Sequence, residues 1–366
     1  MRVVKFNVQN QPEFYRTLRQ RVDAYFRDNQ ISRYANWNMK LKTIFMFTLY
    51  LTPFILMLTG VVSGFGPSLL MWALMGVGMS GIGLSVMHDA NHGAYSNNQK
   101  VNRALGYSLN FIGGYHINWK IQHNVLHHSF TNIHDHDEDI NKAILRLSPD
   151  TEHKWVHRLQ VIYAPLLYGL MTIYWILSKD LEQLSRYHKE GLLKAQGLSY
   201  GRALAEIILT KVIYLGVTLG LPVLLTSLLW WQVLVGFLIM HFICGLILGL
   251  IFQPAHVQES ASFYEVDQVG SVENHWAIHQ LRTTANFANR SRIFSWFVGG
   301  LNYQVEHHLF PNICHVHYRN LAPIVKQTAK EFNVPYFEYA TFFGAVKSHF
   351  SLLWKLGMNR YQPAVA

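Results

Sequence analysis

Cysteine is nearly absent. Two residues, Cys244 and Cys314, in a chain of 366 are too few for a disulfide framework. Charge is also scarce: 14% of residues are Asp, Glu, Lys or Arg, against about 25% in an ordinary soluble protein. With half the chain hydrophobic, this excludes disorder and collagen-like repeats. Acidic residues are the scarcer sign, 21 against 31 basic, giving a net charge of +10 and a pI near 9.5. That balance suits nucleic acid, anionic lipid or an acidic protein partner. No Lys/Arg-rich run, zinc-finger spacing, internal repeat or low-complexity tract accompanies it, so no nucleic-acid partner is expected. The opening residues Met1-Arg-Val-Val-Lys-Phe-Asn have no apolar core and no small-residue cleavage site. The first hydrophobic stretch is therefore expected to stay in the chain as a membrane anchor.

Apolar residues and histidine are abundant. Aromatics make up 14% of the chain, and histidine occurs 20 times. Thr43 to Val62 and Pro67 to Met87 form one tandem pair of uncharged stretches, and Val212 to Leu228 with Leu229 to Phe252 form a second. Each approaches or exceeds the length needed to cross about 30 Å of hydrocarbon. Of the 31 Lys and Arg, 9 precede residue 43, 12 lie between 88 and 204, and 9 follow 252; the short connections at 62–67 and 226–231 carry none. The positive-inside rule then puts both termini and the central segment in the cytoplasm, with four spans in two hairpins. Lys211 is expected to snorkel at the interfacial end of the third span. A fifth apolar stretch, Val161 to Ser178, sits at the lower edge of a spanning length. Crossing there would reverse the parity, so an interfacial or re-entrant segment is expected, as for the shorter Ala104 to Gly114. Leu181 to Arg202 reads as a polar helical connector.

The histidines cluster where these spans end. His88 and His92 follow the second apolar stretch, four residues apart and so on one helical face. His123, His127 and His128 repeat the four-residue step and add a neighbour. His307 and His308 follow Gln304 and Glu306 in the C-terminal segment, and His256 lies just beyond the fourth span. Neutral imidazole is a strong ligand for first-row transition metals, whereas Mg²⁺ and Ca²⁺ take oxygen. Eight histidines exceed what one ion needs and point to two metals with open positions. Such a shell tolerates a change of oxidation state and leaves room for O2. Zinc lacks redox chemistry, and its His-Glu-x-x-His helix is absent. His116, His134, His136, His153, His157, His188, His241, His275, His279 and His349 read as core or surface residues; His315 and His317 are left open.

From about Trp37 to Pro323 the sequence resembles the membrane fatty acid desaturases. The resemblance rests on His88-Asp-Ala-Asn-His92, Trp119-Lys-Ile-Gln-His123-Asn-Val-Leu-His127-His128, Asp137-Glu-Asp139 and Gln304-Val-Glu-His307-His308-Leu-Phe-Pro311. The Gln-x-x-His-His third box is similar to that of front-end (Δ5/Δ6-type) desaturases. The resemblance implies an all-α integral membrane protein: four transmembrane helices in two hairpins, interfacial or re-entrant helices, and a cytoplasmic histidine-rich cap holding a dimetal site. One domain, 1–366, is expected, with hairpins at 43–87 and 205–252 and cytoplasmic segments at 1–42, 88–204 and 253–366. It also implies two iron ions held by His88, His92, His123, His127, His128, His256, His307 and His308, with Gln304 in a ligand-like position. No His-Pro-Gly-Gly haem motif occurs, so electrons are expected from a separate ferredoxin, or from free cytochrome b5 with its reductase. The form is similar to bacterial homologues, which implies a bacterial inner membrane.

The implied reaction is O2-dependent insertion of a cis double bond into a long fatty acyl group, carried on CoA or on a phospholipid. A histidine-box hydroxylase of a lipid or hydrocarbon is the alternative. Metal-binding imidazoles need acceptors for their far N–H groups. Asp89, Glu306, Asp137, Asp139 and Asn286 are the candidates, with Asn124 behind them. Trp276, Gln280 and Thr284 would share one helix face near the site, where packing explains them equally well.

Overall fold

The computed structural model describes residues 4–7 and 11–362. The first three residues of the polar N-terminal segment lie outside them. The chain folds as two compact units: Trp37–Ile121 with Pro165–Gly249, and Met1–Asn36 with Gln122–Ala164 and Leu250–Ala366.

The first unit is built from long apolar helices, which satisfy their own backbone groups and so suit hydrocarbon. Among the described residues five helices are long and apolar enough to cross a membrane: Trp37–Leu58, Phe65–Asn91, Trp155–Lys189, Tyr200–Leu225 and Trp230–His256. The four expected stretches overlap four of them, running past the helix ends at Leu58 and Leu225. The fifth stretch, Val161 to Ser178, belongs to a helix that extends well beyond it at both ends, so by length it matches the others. Small residues set the packing. A Cβ on Gly78 would lie 2.6 Å from the Tyr50 amide nitrogen, and one on Gly76 would lie 2.5 Å from the Met240 carbonyl oxygen. Glycine there lets Phe65–Asn91 approach Trp37–Leu58 and Trp230–His256 at backbone distance.

Lys211 does not snorkel. Its Nζ donates to the carbonyls of Gly113 at 2.7 Å and Trp175 at 3.0 Å and pairs with Asp180. An ammonium at the foot of an apolar helix is costly to leave unpaired; three acceptors from other segments draw it inward. His241 is fully buried, with Nδ1 on Thr172 Oγ1 at 3.0 Å and Nε2 on the Tyr214 hydroxyl at 2.8 Å. It ties three helices together, in keeping with a core residue.

The second unit has an amphipathic scaffold. Helix Pro12–Asp28 buries Phe14, Leu18, Val22 and Phe26 at four-residue spacing, one continuous stripe on a helix. They pack with Leu321, Val325 and Ala329 of helix Tyr318–Glu331, and with Val305 and Leu309 of the third histidine box. Two short parallel pairings depart from the all-α expectation: Lys5–Phe6 with Ser271–Val272, and Ala285–Phe287 with Phe337–Tyr339. The second holds Asn286 beside the box-three helix Gln304–Leu309.

Candidate metal centre

Box two lies on a wider turn than an α-helix. Residues Ile121–His127 form a π-helix, followed by one α-turn at His128–Phe130. On an α-helix a residue five positions along points about 140° away. With i→i+5 hydrogen bonds it returns close to the same face. His123 can then share a face with both His127 and His128. The His123 and His127 rings stack at 5.4 Å, and His128 Nε2 lies 3.2 Å from His123 Nε2.

Box three and His256 meet this face. His128 Nε2 is 2.9 Å from His307 Nε2. Ring nitrogens of His127, His256 and His308 lie within 4.8 Å of one another, as do those of His128, His307 and His308. Two imidazoles bound to one ion at about 2.1 Å would hold their nitrogens about 3 Å apart. His256 Nε2 and both polar atoms of Gln304 are buried without a hydrogen bond of good geometry, although the two side chains face each other closely enough to interact. Ring nitrogens and an amide gathered this closely fit a transition-metal site.

The opposite ring nitrogens are engaged. His127 Nδ1 donates to Asp137 at 3.1 Å, and Asp139 lies 3.5 Å away. Asp137 is fully buried and also accepts the backbone N–H groups of Asn132 and Asp139. His256 Nδ1 donates to the Thr283 carbonyl at 3.3 Å, His308 Nδ1 to Gln280 Oε1 at 2.8 Å, and His307 Nδ1 to the Tyr318 hydroxyl at 3.3 Å. This fixes each tautomer with Nε2 turned inward. Burial would lower the His127 pKa, but the charge and hydrogen bond of Asp137, with Asp139 behind, raise it above its ordinary value.

Glu306 and Asn286 act one step further out. The Glu306 carboxylate accepts from Asn286 Nδ2 at 2.8 Å and from the Tyr336 hydroxyl at 2.9 Å, and Asn286 Oδ1 accepts from the Val305 N–H. Burial pushes the Glu306 pKa up to about 7, against those two donors. Both residues brace the box-three helix. In the other unit, His88 and His92 stand at the end of helix Phe65–Asn91, just after its π-turn Ile82–Met87. Their rings are 4.8 Å apart and both edge onto Trp119; Asp89 lies 3.7 Å from His88 Nδ1. His317 bonds the Tyr34 carbonyl, and His279 bonds the Thr131 carbonyl, both structural contacts. Gln280, Tyr318 and Thr283 as partners of the imidazoles were not separable from packing by sequence. Gln280 alone had a signal, its place on the Trp276 face.

Comparison with known proteins agrees with this geometry. The profile of the fatty acid desaturase family matches residues 64–340. The sn-1 linoleoyl-lipid 6-desaturase of Synechocystis sp. is 38% identical over 348 residues, covering 94% of this chain and 95% of that protein. The protein of the same name from Arthrospira platensis is 36% identical over 361 residues, covering 96% and 95%. The acyl-lipid (8-3)-desaturase of Physcomitrium patens is 33% identical over 358 residues, covering 96% and 73%. With its histidine boxes, apolar helices and near full-length similarity to these enzymes, the chain belongs to the fatty acid desaturase family, as an oxidoreductase that desaturates fatty acids.

Proposed function

We propose that this enzyme places a cis double bond in a fatty acyl chain esterified to a membrane lipid, between an existing double bond and the carboxyl end. The observation that carries the metal reading is the set of six imidazoles in one unit with Nδ1 atoms engaged on His127, His256, His307 and His308 and ring nitrogens gathered in groups within 4.8 Å. His88 and His92 join the ligand set on the strength of the sequence resemblance, and Gln304 stands as a ninth donor. The lipid-bound substrate and its regiochemistry draw support from the names of the relatives, linoleoyl-lipid 6- and acyl-lipid (8-3)-desaturase. Bound iron, two ions per chain, supplies the O2 chemistry. Two hydrogens leave adjacent carbons, two electrons and two protons enter, and O2 becomes two waters.

The chain's own residues orient and protect the site. Asp137, Gln280, Tyr318 and the Thr283 carbonyl each hold one Nδ1 proton, so the imidazoles keep their lone pairs on the inner nitrogen. Asn286, Glu306 and Tyr336 fix the box-three helix. The donors are almost wholly buried, which excludes water from a reaction in which stray protons would divert reduced oxygen. The electron donor is a separate ferredoxin or free cytochrome b5, for which the basic balance of the chain suits an acidic partner. The topology is four spans with both termini cytoplasmic, in a bacterial inner membrane, with Trp155–Lys189 lying in the interface or re-entering.

The test is a fatty-acid profile of cells expressing the protein with a ferredoxin system and supplied with oleate, linoleate and saturated chains. Gas chromatography–mass spectrometry with double-bond location should show a new bond on the carboxyl side of an existing one. A hydroxylated product would move the enzyme to the rival class. Pulse-labelling of acyl-CoA against phospholipid pools separates the two carriers.

A further inference from the structure

Helix Phe342–Gly357 has two apolar faces, one buried and the other largely exposed among the described residues. Ala345, His349, Leu352, Leu353 and Leu356 are buried. The opposite face runs Phe343, Lys347, Phe350, Trp354 and Met358, spaced at four, three, four and four residues, with Phe343 80% and Trp354 43% exposed. Its C-terminal half is bound to the start of helix Trp155–Lys189 and to the segment before it. Gln160 Nε2 donates to the Leu353 carbonyl at 2.7 Å, His153 Nε2 to that of Gly357 at 2.7 Å, and Arg146 Nη1 to that of Leu356 at 2.9 Å. There Trp155 and Ile162 are each 77% exposed. The patch grows at the other end, where Phe294 packs on Phe342 at 5.2 Å and the neighbouring Ile293, just after Arg290 and Arg292, is 85% exposed.

We propose that helix Phe342–Gly357 lies in the plane of the cytoplasmic membrane surface, with Phe343, Phe350, Trp354 and Met358 seated at the headgroup–acyl boundary. Three observations favour a bilayer over a second protein. The helix is hydrogen-bonded through Gln160 to the opening turns, themselves bearing exposed Trp155 and Ile162, of a helix long and apolar enough to enter hydrocarbon. Tryptophan and phenylalanine dominate it, as at membrane interfaces. Two cations flank it, Lys347, which shares the Glu259 carboxylate with Lys355, and Arg360, whose guanidinium sits 5.6 Å from the Trp354 ring and is available to anionic headgroups. An exposed stripe of this kind is rare on a surface that meets only water. The same helix packs on the strand pair that holds Asn286 and, through it, box three. Seating it would therefore set the depth of box three relative to lipid-borne acyl chains. This extends the membrane and lipid-substrate reading above and rests on it.

The experiment uses the full chain in nanodiscs of phosphatidylcholine and phosphatidylglycerol. Nitroxide labels are placed on Phe343→Cys, Trp354→Cys and, as a control on an exposed position of another helix, Lys330→Cys. Cys244 and Cys314 are buried, so the unsubstituted chain serves as the blank. Power-saturation EPR with O2 and a water-soluble nickel chelate should show 343 and 354 open to O2 and shielded from nickel, the reverse of 330. Nickel access at 343 and 354 equal to that at 330 overturns the proposal. So does shielding from both reagents that is relieved on dilution, which would mean a second copy covers the face. The readout is independent of turnover, so a failed product assay and a failed seating assay report on separate claims.

Discussion

Asp137→Asn separates a charge that orients a ligand from a residue that merely fills space. Asp137 has no exposed surface; its Oδ2 accepts the Asn132 N–H at 2.9 Å, its Oδ1 accepts the Asp139 N–H at 3.0 Å, and both oxygens lie 3.1–3.2 Å from His127 Nδ1. An amide of the same shape offers one oxygen. Its NH2 must then face a backbone N–H, leaving a buried donor unsatisfied at a cost of about 1–3 kcal/mol. The charge-assisted bond to His127 is lost as well, so the total penalty is about 2–4 kcal/mol. Loss of such a partner typically weakens metal binding or activity by about 10–100-fold. Asp139→Asn should do less, because its side chain is 31% exposed and stands 3.5 Å from His127 Nδ1. Iron content by plasma mass spectrometry and product formation, measured on both variants, check this. Asp137→Asn with unchanged iron and turnover, or a larger loss in Asp139→Asn, would refute the assigned role.

Other outcomes follow from the same contacts. Gln280→Leu removes the acceptor of the His308 Nδ1 proton and should lower turnover about 10-fold or more, while Trp276→Phe, which loses only a bond to the His128 carbonyl, should cost far less. His308→Ala should abolish desaturation with membrane insertion intact, whereas His188→Ala, on an exposed helix face, should be silent in the same product assay. Gly78→Leu should reduce the folded yield in detergent by size-exclusion chromatography, because even a Cβ meets the Tyr50 backbone at 2.6 Å. His279 and His349 are buried and held neutral, each pushed down to about 4 by burial and partly restored by a bond to a backbone carbonyl. Their unfolded value is about 6.5, so below it the unfolded chain takes protons that the fold refuses. Their stabilisation is complete above about pH 6.5 and is lost as pH falls toward 4, by roughly 3 kcal/mol each at the limit. Thermal melts across that window should show the loss, and a His279→Gln, His349→Gln chain should show less of it.

The histidine boxes were legible because four-residue spacing survives the change from α- to π-helix for His123 and His127. His128 was counted in as their neighbour, but that it shares a face with His123 was not legible, since only the wider turn returns the fifth residue there. Asp137 could be named from its closeness in sequence to box two. Gln280 and Tyr318 could not be assigned to particular imidazoles, because tertiary packing brings them to His308 and His307. Charge counting located the apolar pairs but misjudged Lys211, whose acceptors Gly113, Trp175 and Asp180 come from segments with no sequence mark of their meeting. Val161 to Ser178 looked short because its flanking polar turns, also helical, do not count toward hydropathy. The outer face of Phe342–Gly357 was hidden by a helix apolar on both sides, which sequence alone reads as core.

The most direct test of the central claim is the metal content of purified protein, read by plasma mass spectrometry together with Mössbauer spectroscopy on ⁵⁷Fe-grown cells. About two irons per chain are expected, in nitrogen-rich coordination, and their loss in His308→Ala at unchanged membrane yield. Stoichiometric zinc, a single iron, or iron that persists undiminished in His308→Ala would contradict that claim.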